Sequence, residues 1–270
     1  ISGLYKYIFK SNGKKIRAKL CLTTSSRTKN KEKIKLASVI ELLHTATLIH
    51  DDVVDESPTR RGIRSVNNVW TNAHGVLIGD YIYSKAFIYL VDIGNKKILK
   101  ELASTTNDIA QGELVQLDAI NNVNITLNKL KKISYFKTGR LFEAAAKTGA
   151  IIANENKAFN YNVSECAKNL GILFQIIDDL LDYSDSKKIG KPVFQDIKEG
   201  KVTYPFFYAY KNANTREKKR LKGLLGASRD LKSKDLELIT SLDGIKKTKQ
   251  LAEKYHMKAV GYAKKIKDLD

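Results

Sequence analysis

The chain has 270 residues, 43% of them hydrophobic, which is enough to bury a sizeable core as one large domain or as two small ones. No apolar run approaches the length needed to cross a bilayer, which argues against a membrane-spanning protein, and the first residues of the given sequence lack a signal-peptide pattern. The formal net charge of +19 fits nucleic-acid or anionic-membrane binding, but no basic helix is interleaved with aromatic residues, and we favour lysines scattered over solvated helix faces.

The few cysteines and prolines of the chain indicate its cellular compartment and its number of domains. Cys21 and Cys166 form neither a CxxC motif nor a disulfide framework, which fits a cytoplasmic protein. Only 3 prolines and few Gly- or Ser-rich stretches leave little material for linkers. We therefore expect one domain over residues 1–270, and because the chain begins with Ile1 rather than Met we expect its N-terminus to be truncated.

Almost every segment has the apolar spacing of a helix, and no Asn-Gly or Asp-Gly turn indicates a hairpin. Several predicted helices exceed twenty residues, which favours a single all-α bundle with a central elongated cavity. The helices are predicted at about residues 14–24, 31–56, 69–91, 96–119, 127–153, 156–183, 203–212, 215–223, 233–241 and 245–268.

The second of these helices carries an unusual set of polar residues. Asp51 and Asp55 lie one turn apart on the same face, and His44 lies two turns earlier on nearly the same stripe. Arg60 and Arg61 follow just beyond the predicted helix end. A carboxylate pair followed by a double arginine predicts a place where a divalent metal and an anion meet.

The same acidic spacing recurs later in the chain, where Asp178, Asp179 and Asp182 lie inside an apolar helical run. Because acidic side chains are seldom buried without a partner, we expect the two clusters to face each other and share cations. A set of oxygen ligands without Cys or paired His favours magnesium over zinc, and magnesium takes its remaining ligands from water and substrate phosphates. The sequence therefore predicts a diphosphate substrate.

These stretches resemble the two aspartate-rich motifs of the trans-isoprenyl diphosphate synthases. The similarity extends from about Gly13 to Pro205 and is greatest to bacterial long-chain enzymes of the octaprenyl diphosphate synthase type. The resemblance implies the helical isoprenoid-synthase fold and a prenyltransferase. The segments that carry it are Asp51-Asp52-Val53-Val54-Asp55 with Arg60-Arg61, and Asp178-Asp179-Leu180-Leu181-Asp182 preceded by Phe174-Gln175.

The resemblance implies two or three Mg²⁺ ions bound by the acidic motifs. The implied metal ligands are Asp51, Asp55, Asp178 and Asp182, with Asp52 in support. The alternative, solvent-facing acids at helix ends, is disfavoured because both clusters are intact.

Isopentenyl diphosphate would bind a cationic pocket without metal, to which the resemblance assigns Lys14, Arg17, His44 and Arg61. Arginine forks suit phosphate geometry, and lysine adds a point charge. Taken alone, His44 would be interpreted as a core histidine, and only its place on the Asp51 stripe favours a function.

The allylic diphosphate would be held by a second set of polar residues, which the resemblance gives as Arg60, Lys137, Thr138, Gln175, Lys191 and Lys201. Asp51, Asp55 and Asp178 with Lys137 and Lys201 are the expected catalytic residues. Asp196 is expected to hold water near a metal, and residues 190–200 are expected to close over the diphosphates as a flap. Taken singly, each lysine would be interpreted as a surface residue.

Product length is predicted from the residues upstream of Asp51, which descend from the metal site at about 1.5 Å per residue. In short-chain family members, a bulky residue four or five positions earlier plugs the cavity. Here Thr47 and Ala46 are small, and Leu43 continues the wall. This implies a product of about C40 for quinone side chains, unless another helix supplies the plug through Phe87, Phe142 or Tyr135.

The implied reaction is ionisation of the allylic diphosphate, attack by isopentenyl diphosphate and loss of a proton, with farnesyl diphosphate as the expected primer. We expect a homodimer, no nucleic-acid partner and at most peripheral membrane contact for product release. The alternatives are a farnesyl or geranylgeranyl diphosphate synthase or a related terpene synthase, a subunit of a heteromeric synthase, and a basic nucleic-acid-binding helical protein. The paired acidic helices argue against the last of these.

Overall fold

The computed structural model describes residues 2–10, 13–184, 194–227, 231 and 233–266. The described chain is almost entirely helical, so the predicted all-α class is confirmed. The helices are α1 (Ser2–Ile8), α2 (Ile16–Thr24), α3 (Glu32–Val54), α4 (Val66–Val69), α5 (Asn72–Ile93), α6 (Lys96–Leu117), α7 (Leu127–Ser134), a π-helix (Tyr135–Gly139), α8 (Arg140–Ile152), α9 (Lys157–Leu181), α10 (Gln195–Lys198), α11 (Tyr204–Asn212), α12 (Thr215–Lys222), α13 (Ser233–Ser241) and α14 (Gly244–Ala263).

A short hairpin that the sequence does not predict follows α3. Strands β1 (Thr59–Arg60) and β2 (Ile63–Arg64) pair antiparallel around a two-residue turn. The turn residues Arg61 and Gly62 both lie in the left-handed region, with φ of 52° and 78°, as this tight type of turn requires. Hairpin formation was missed because an Arg-Gly turn lacks the usual Asn or Asp.

The first of two compact units comprises the described residues of Ile1–Ser104 and Ala144–Asn160. Within it α3 packs along α5 and against α2. Ile49 of α3 is buried with Ile78 and Ile82 of α5. Burying one such side chain stabilises the fold by roughly 1.5–3 kcal/mol, so this contact fixes the helix that carries the first acidic motif.

The second compact unit comprises the described residues of Thr105–Glu143 and Tyr161–Asp268. Its core surrounds α11, which packs against α12, α13 and α14. Ile176 of α9 belongs to this core, together with Tyr204 and Phe206 of α11, and all three are fully buried. The core therefore fixes the helix that carries the second acidic motif.

Three sequence-based expectations about the fold stay predictions, namely the single domain over residues 1–270, the central cavity and the facing of the two acidic motifs. Among the described residues, no helix combines the length and the apolar character that crossing a bilayer requires.

Candidate active site

The first acidic motif lies at the C-terminal end of α3, where the helix meets the hairpin. Asp52 is buried, and its Oδ1 accepts hydrogen bonds from Arg60 Nε at 2.8 Å and from Arg60 Nη2 at 2.5 Å. Burial raises the pKa of Asp52, and the guanidinium of Arg60 opposes that shift. Asp51 and Asp55 are only half-buried. The middle carboxylate of the motif is thus bound to Arg60, and the outer two reach the surface.

A basic cluster lies in the same unit. Arg17 Nη1 is 2.9 Å from His44 Nε2, and Gly13 packs so closely on Arg61 that an added Cβ would lie 2.5 Å from its Nη1. Burial, then the charges of Arg17, Arg61 and Arg60, lowers the pKa of His44 well below its ordinary value. His44 is therefore neutral, and its Nε2 accepts the hydrogen bond from the protonated guanidinium of Arg17.

A side chain of α3 also stabilises the N-terminal end of α2, which carries Arg17. Glu41 Oε1 accepts a hydrogen bond from the backbone N–H of Ala18 at 3.1 Å, in the first turn of α2. The side chain of Lys15, the N-cap residue, makes no capping hydrogen bond. Glu41 therefore provides the acceptor that this N–H group at the helix end would otherwise lack. Burial lowers the pKa of Arg17 to about 10, an effect that Glu41 opposes. Lys14 lies exposed just before this helix.

The Lys137–Thr138 pair lies on the π-helix of the second unit. Lys137 Nζ donates to Gln116 Oε1 at 2.5 Å and lies 2.9 Å from Glu113 Oε2. Thr138 Oγ1 donates to Gln175 Oε1 at 2.7 Å. Single π-helical turns inside α-helices occur frequently at functional sites. The sequence predicts one continuous helix here, because a π-turn has no distinctive composition.

In the second acidic motif, as in the first, the middle aspartate is buried and hydrogen-bonded within the protein, and the outer aspartates are more exposed. Asp179 is buried, and its Oδ1 accepts from Gln175 Nε2 at 2.9 Å while its Oδ2 accepts from the backbone N–H of Tyr204 at 3.2 Å. Asp178 is exposed. Asp182 accepts the backbone N–H groups of Gln195 at 2.9 Å and of Asp196 at 3.2 Å.

Three carboxylates at and just after this motif have raised pKa values, those of Asp179, Asp182 and Asp196. Burial is the main cause that raises the pKa of Asp179, Asp182 and Asp196, and the negative charges of neighbouring carboxylates add to it. Lys201 lies 2.7 Å from Glu199 and lowers the pKa of Asp196 in part. A bound cation would relieve this repulsion.

The structure therefore groups the predicted residues within each unit. The first unit brings Arg17, His44 and Arg61 together and sets Arg60 on Asp52; the second links Thr138 through Gln175 to the second motif. Lys191 and residues 190–193 of the expected flap lie outside the described residues.

Three residues that hold these predicted side chains in place were missed, namely Glu41, Glu113 and Gln116. Two sequence signals could have found Glu113 and Gln116, namely their spacing of one helical turn and the place of Glu113 in a segment that shares the family resemblance.

The predicted chain-length residues lie on α3. Leu43 and Ala46 are fully buried, and Ala46 packs with Ile49, Ile78 and Ile82. Thr47 is half-buried, and its Oγ1 donates to His44 O at 2.8 Å. Their role in product length stays a prediction.

Comparison with known proteins gives a consistent result. A family model described as polyprenyl synthetase matches residues 1–242. The octaprenyl diphosphate synthase of Escherichia coli is 36% identical over 99% of this chain and 84% of that enzyme, and the geranyl-diphosphate-specific all-trans-nonaprenyl-diphosphate synthase of Rhodobacter capsulatus is 40% identical over 81% of this chain and 68% of that enzyme.

Solved structures agree with these sequence relatives. A decaprenyl diphosphate synthase from Rhodobacter capsulatus has a TM-score of 0.91 and 32% identity, over 96% of this chain and 82% of that one. A polyprenyl synthase from Caulobacter crescentus, solved with calcium and isoprenyl diphosphate, has a TM-score of 0.90 and 32% identity, over 97% of this chain and 81% of that one. With sequence and fold in agreement over nearly its whole length, the chain belongs to the polyprenyl synthetase family.

Proposed function

We propose that this chain is a trans-polyprenyl diphosphate synthase, which condenses an allylic diphosphate with isopentenyl diphosphate in successive trans additions. Family membership supports the reaction, and the names of relatives that are octaprenyl, nonaprenyl and decaprenyl diphosphate synthases support a long product. The observation that carries the proposal is the arrangement of the two acidic motifs. In each, the middle aspartate is held by a neighbour, Asp52 by Arg60 and Asp179 by Gln175, and outer aspartates reach the surface.

We assign Mg²⁺ binding to the outer aspartates, Asp51, Asp55, Asp178 and Asp182, with two or three ions in the loaded enzyme. The donors are carboxylate oxygens, which suits magnesium. Within neither unit do three His, Cys, Asp or Glu side chains among the described residues form a metal-binding group, which fits ions that take further ligands from water and substrate phosphates. Bound Mg²⁺ would neutralise charge on the diphosphate leaving group. Asp52 supports the site by holding Arg60.

We assign isopentenyl diphosphate to the cluster of Lys14, Arg17, His44 and Arg61. Two guanidinium groups provide forked donors for phosphate oxygens, and the exposed Lys14 adds a charge. Neutral His44 accepts from Arg17 through Nε2, so its Nδ1 carries the proton and is the ring donor. The high positive charge density of this cluster favours an anionic ligand over a metal ion.

We assign the allylic diphosphate to Arg60, Lys137, Thr138, Gln175 and Lys201, and Lys191 stays predicted beside them. Arg60 is oriented by its two bonds to Asp52, and Lys137 by Gln116 and Glu113. Donors fixed before the substrate arrives can stabilise charge on the leaving group without reorganising during ionisation. Asp51, Asp55, Asp178, Lys137 and Lys201 are the proposed catalytic residues.

We propose a product of about C40, because the side chains of Ala46 and Thr47 are too small to block the growing chain. The support is their size together with the long-chain products named for the relatives. We also propose, from the family resemblance, that the product supplies quinone side chains.

We further propose a cytoplasmic homodimer with at most peripheral membrane contact. The outer face of α5 carries a stripe of exposed apolar residues, Leu77, Tyr81, Ile88 and Val91. Apolar residues repeated along one helix face are typical of an interface, and a second copy of the same helix would cover it. Sedimentation of the wild type and of Leu77→Glu tests this assignment, and an unchanged oligomeric state in the variant contradicts it.

Product sizing tests the proposed function. The purified chain, farnesyl diphosphate, labelled isopentenyl diphosphate and Mg²⁺ should give a polyprenyl diphosphate of about C40, and chelation of the metal should abolish it. A C20 product would instead identify a geranylgeranyl diphosphate synthase, and a farnesyl diphosphate synthase would leave the C15 primer unextended while it extends a C5 or C10 primer. Activity that appears only after a second protein is added would identify a subunit of a heteromeric synthase.

A further inference from the structure

Two glycines allow neighbouring helices to approach the π-helix closely. A Cβ on Gly112 of α6 would lie 2.7 Å from Phe136 Cβ, and a Cβ on Gly171 of α9 would lie 2.6 Å from Gly139 Cα. Contacts this short do not occur between packed atoms, so a side chain at either position would displace the π-helix. The π-helix is thus held by tight packing against α6 and α9.

Tyr204, the first residue of α11, connects the start of the π-helix with the second acidic motif. Its side chain is 1% exposed, and its hydroxyl lies 2.9 Å from Ser134 Oγ. Ser134 Oγ also lies 3.1 Å from Leu130 O, and both contacts are satisfied when Ser134 donates to Leu130 O and accepts from the Tyr204 hydroxyl. The backbone N–H of Tyr204 donates to Asp179, the same carboxylate that accepts from Gln175.

Ser134 is the residue at which α7 changes into the π-helix. A π-helix accommodates an extra residue in its turn and persists only where surrounding contacts hold it. Relaxation into an α-helix would change the angle between successive residues and so rotate the side chains of the turn around the helix axis. That rotation would take Lys137 away from Gln116 and Thr138 away from Gln175. An anchor at Ser134 therefore fixes the direction of both side chains.

We propose that Tyr204 is a positioning residue for the allylic diphosphate site. Its buried hydroxyl, acting through Ser134, fixes the register of the π-helix and so the direction of Lys137 and Thr138. Its backbone N–H donates to Asp179 and fixes that carboxylate. Asp179 in turn holds the Gln175 side chain, which accepts the hydrogen bond from Thr138. The inference rests on the proposed function, which gives the allylic site its substrate. Tyr204 and Ser134 are buried and act without touching that substrate.

The test removes the hydrogen bond from each side. Tyr204→Phe deletes the donor and keeps the ring, and Ser134→Ala deletes the acceptor. Tyr208→Phe, in the same helix and half-buried, is the matched control. We expect each single variant to lower kcat/KM for farnesyl diphosphate roughly tenfold, with the KM for isopentenyl diphosphate within about twofold of wild type. The double variant should be no worse than either single variant.

A second measurement needs no substrate. Hydrogen exchange of the backbone amides of residues 135–139 should accelerate in both single variants and remain unchanged in Tyr208→Phe. Unchanged kinetics and exchange in the single variants would overturn the proposal. Multiplicative losses in the double variant, or equal effects on both substrates, would also overturn it by indicating a packing role alone. If Tyr204→Phe does not fold, Ser134→Ala decides by the same criteria.

The two proposals fail in different ways. If the wild type makes no prenyl product, the proposed function fails, whereas faster exchange in the variants would still identify the anchor.

Discussion

Replacing Asp52 by Asn tests whether the middle aspartate of the first motif acts through Arg60. The Asp52 side chain is 6% exposed and receives two hydrogen bonds from Arg60, whose side chain is 35% exposed. Breaking a buried ion pair costs about 3–5 kcal/mol, but Arg60 reaches solvent and Asn keeps a neutral acceptor, so we expect a loss of about 2 kcal/mol. For a chain of this size, that corresponds to a fall of roughly 4–8 °C in Tm.

The assay is thermal unfolding in the presence of a chelator, so that metal binding does not contribute. Glu253→Gln is the control, because Glu253 lies 3.6 Å from His256 with side chains 67% and 54% exposed. Its Tm should change by less than about 1 °C. If Asp52 acted only as a metal ligand, Asp52→Asn would leave the metal-free Tm unchanged. A metal-free Tm within about 1 °C of wild type would therefore refute the reasoning.

Three further predictions follow from the same geometry. Asp51→Ala and Asp178→Ala should each lower turnover by roughly two orders of magnitude or more in the product-forming assay, while circular dichroism shows an intact fold; near-normal turnover would contradict the metal assignment. Thr47→Phe should shorten the product, and an unchanged chain length would disprove the role of the small side chain. Burial and Arg17 lower the pKa of His44, so the unfolded state takes up a proton first and stability should fall as pH drops below about 6.5. In the His44→Gln variant, Tm should therefore decrease less steeply than in the wild type as the pH falls. An equally steep decrease would contradict the prediction.

Helix positions were largely predictable from sequence because they depend on local apolar spacing. The segment 233–241 was predicted with the bounds that the structure has, and α11 begins within one residue of its prediction. The predicted helix 127–153 has nearly the right extent but contains the π-helix, which arises from packing against Gly112 and Gly171. The final helix ends at Ala263, earlier than its apolar spacing predicts.

The candidate site was predictable in residue type and only partly in role. The spacing of Asp51 and Asp55 and the oxygen-only chemistry pointed to a divalent cation, and family membership supports that expectation. The burial of Asp52 under Arg60 was not predictable, because an isolated helix does not distinguish which of its carboxylates will meet the hairpin. The same holds for Asp179, whose partners Gln175 and Tyr204 come from two different helices.

The sequence by itself determined the helical class, the family and the acidic motifs, because these follow from periodicity and side-chain chemistry within short segments. Only the tertiary structure decided which carboxylates are held internally and which reach the surface. It also decided that a buried tyrosine hydroxyl bonds to the residue where the π-helix begins. The physical reason is that burial and hydrogen bonding depend on neighbours far away in the chain, such as Ser134 and Tyr204, which become adjacent only when the helices pack.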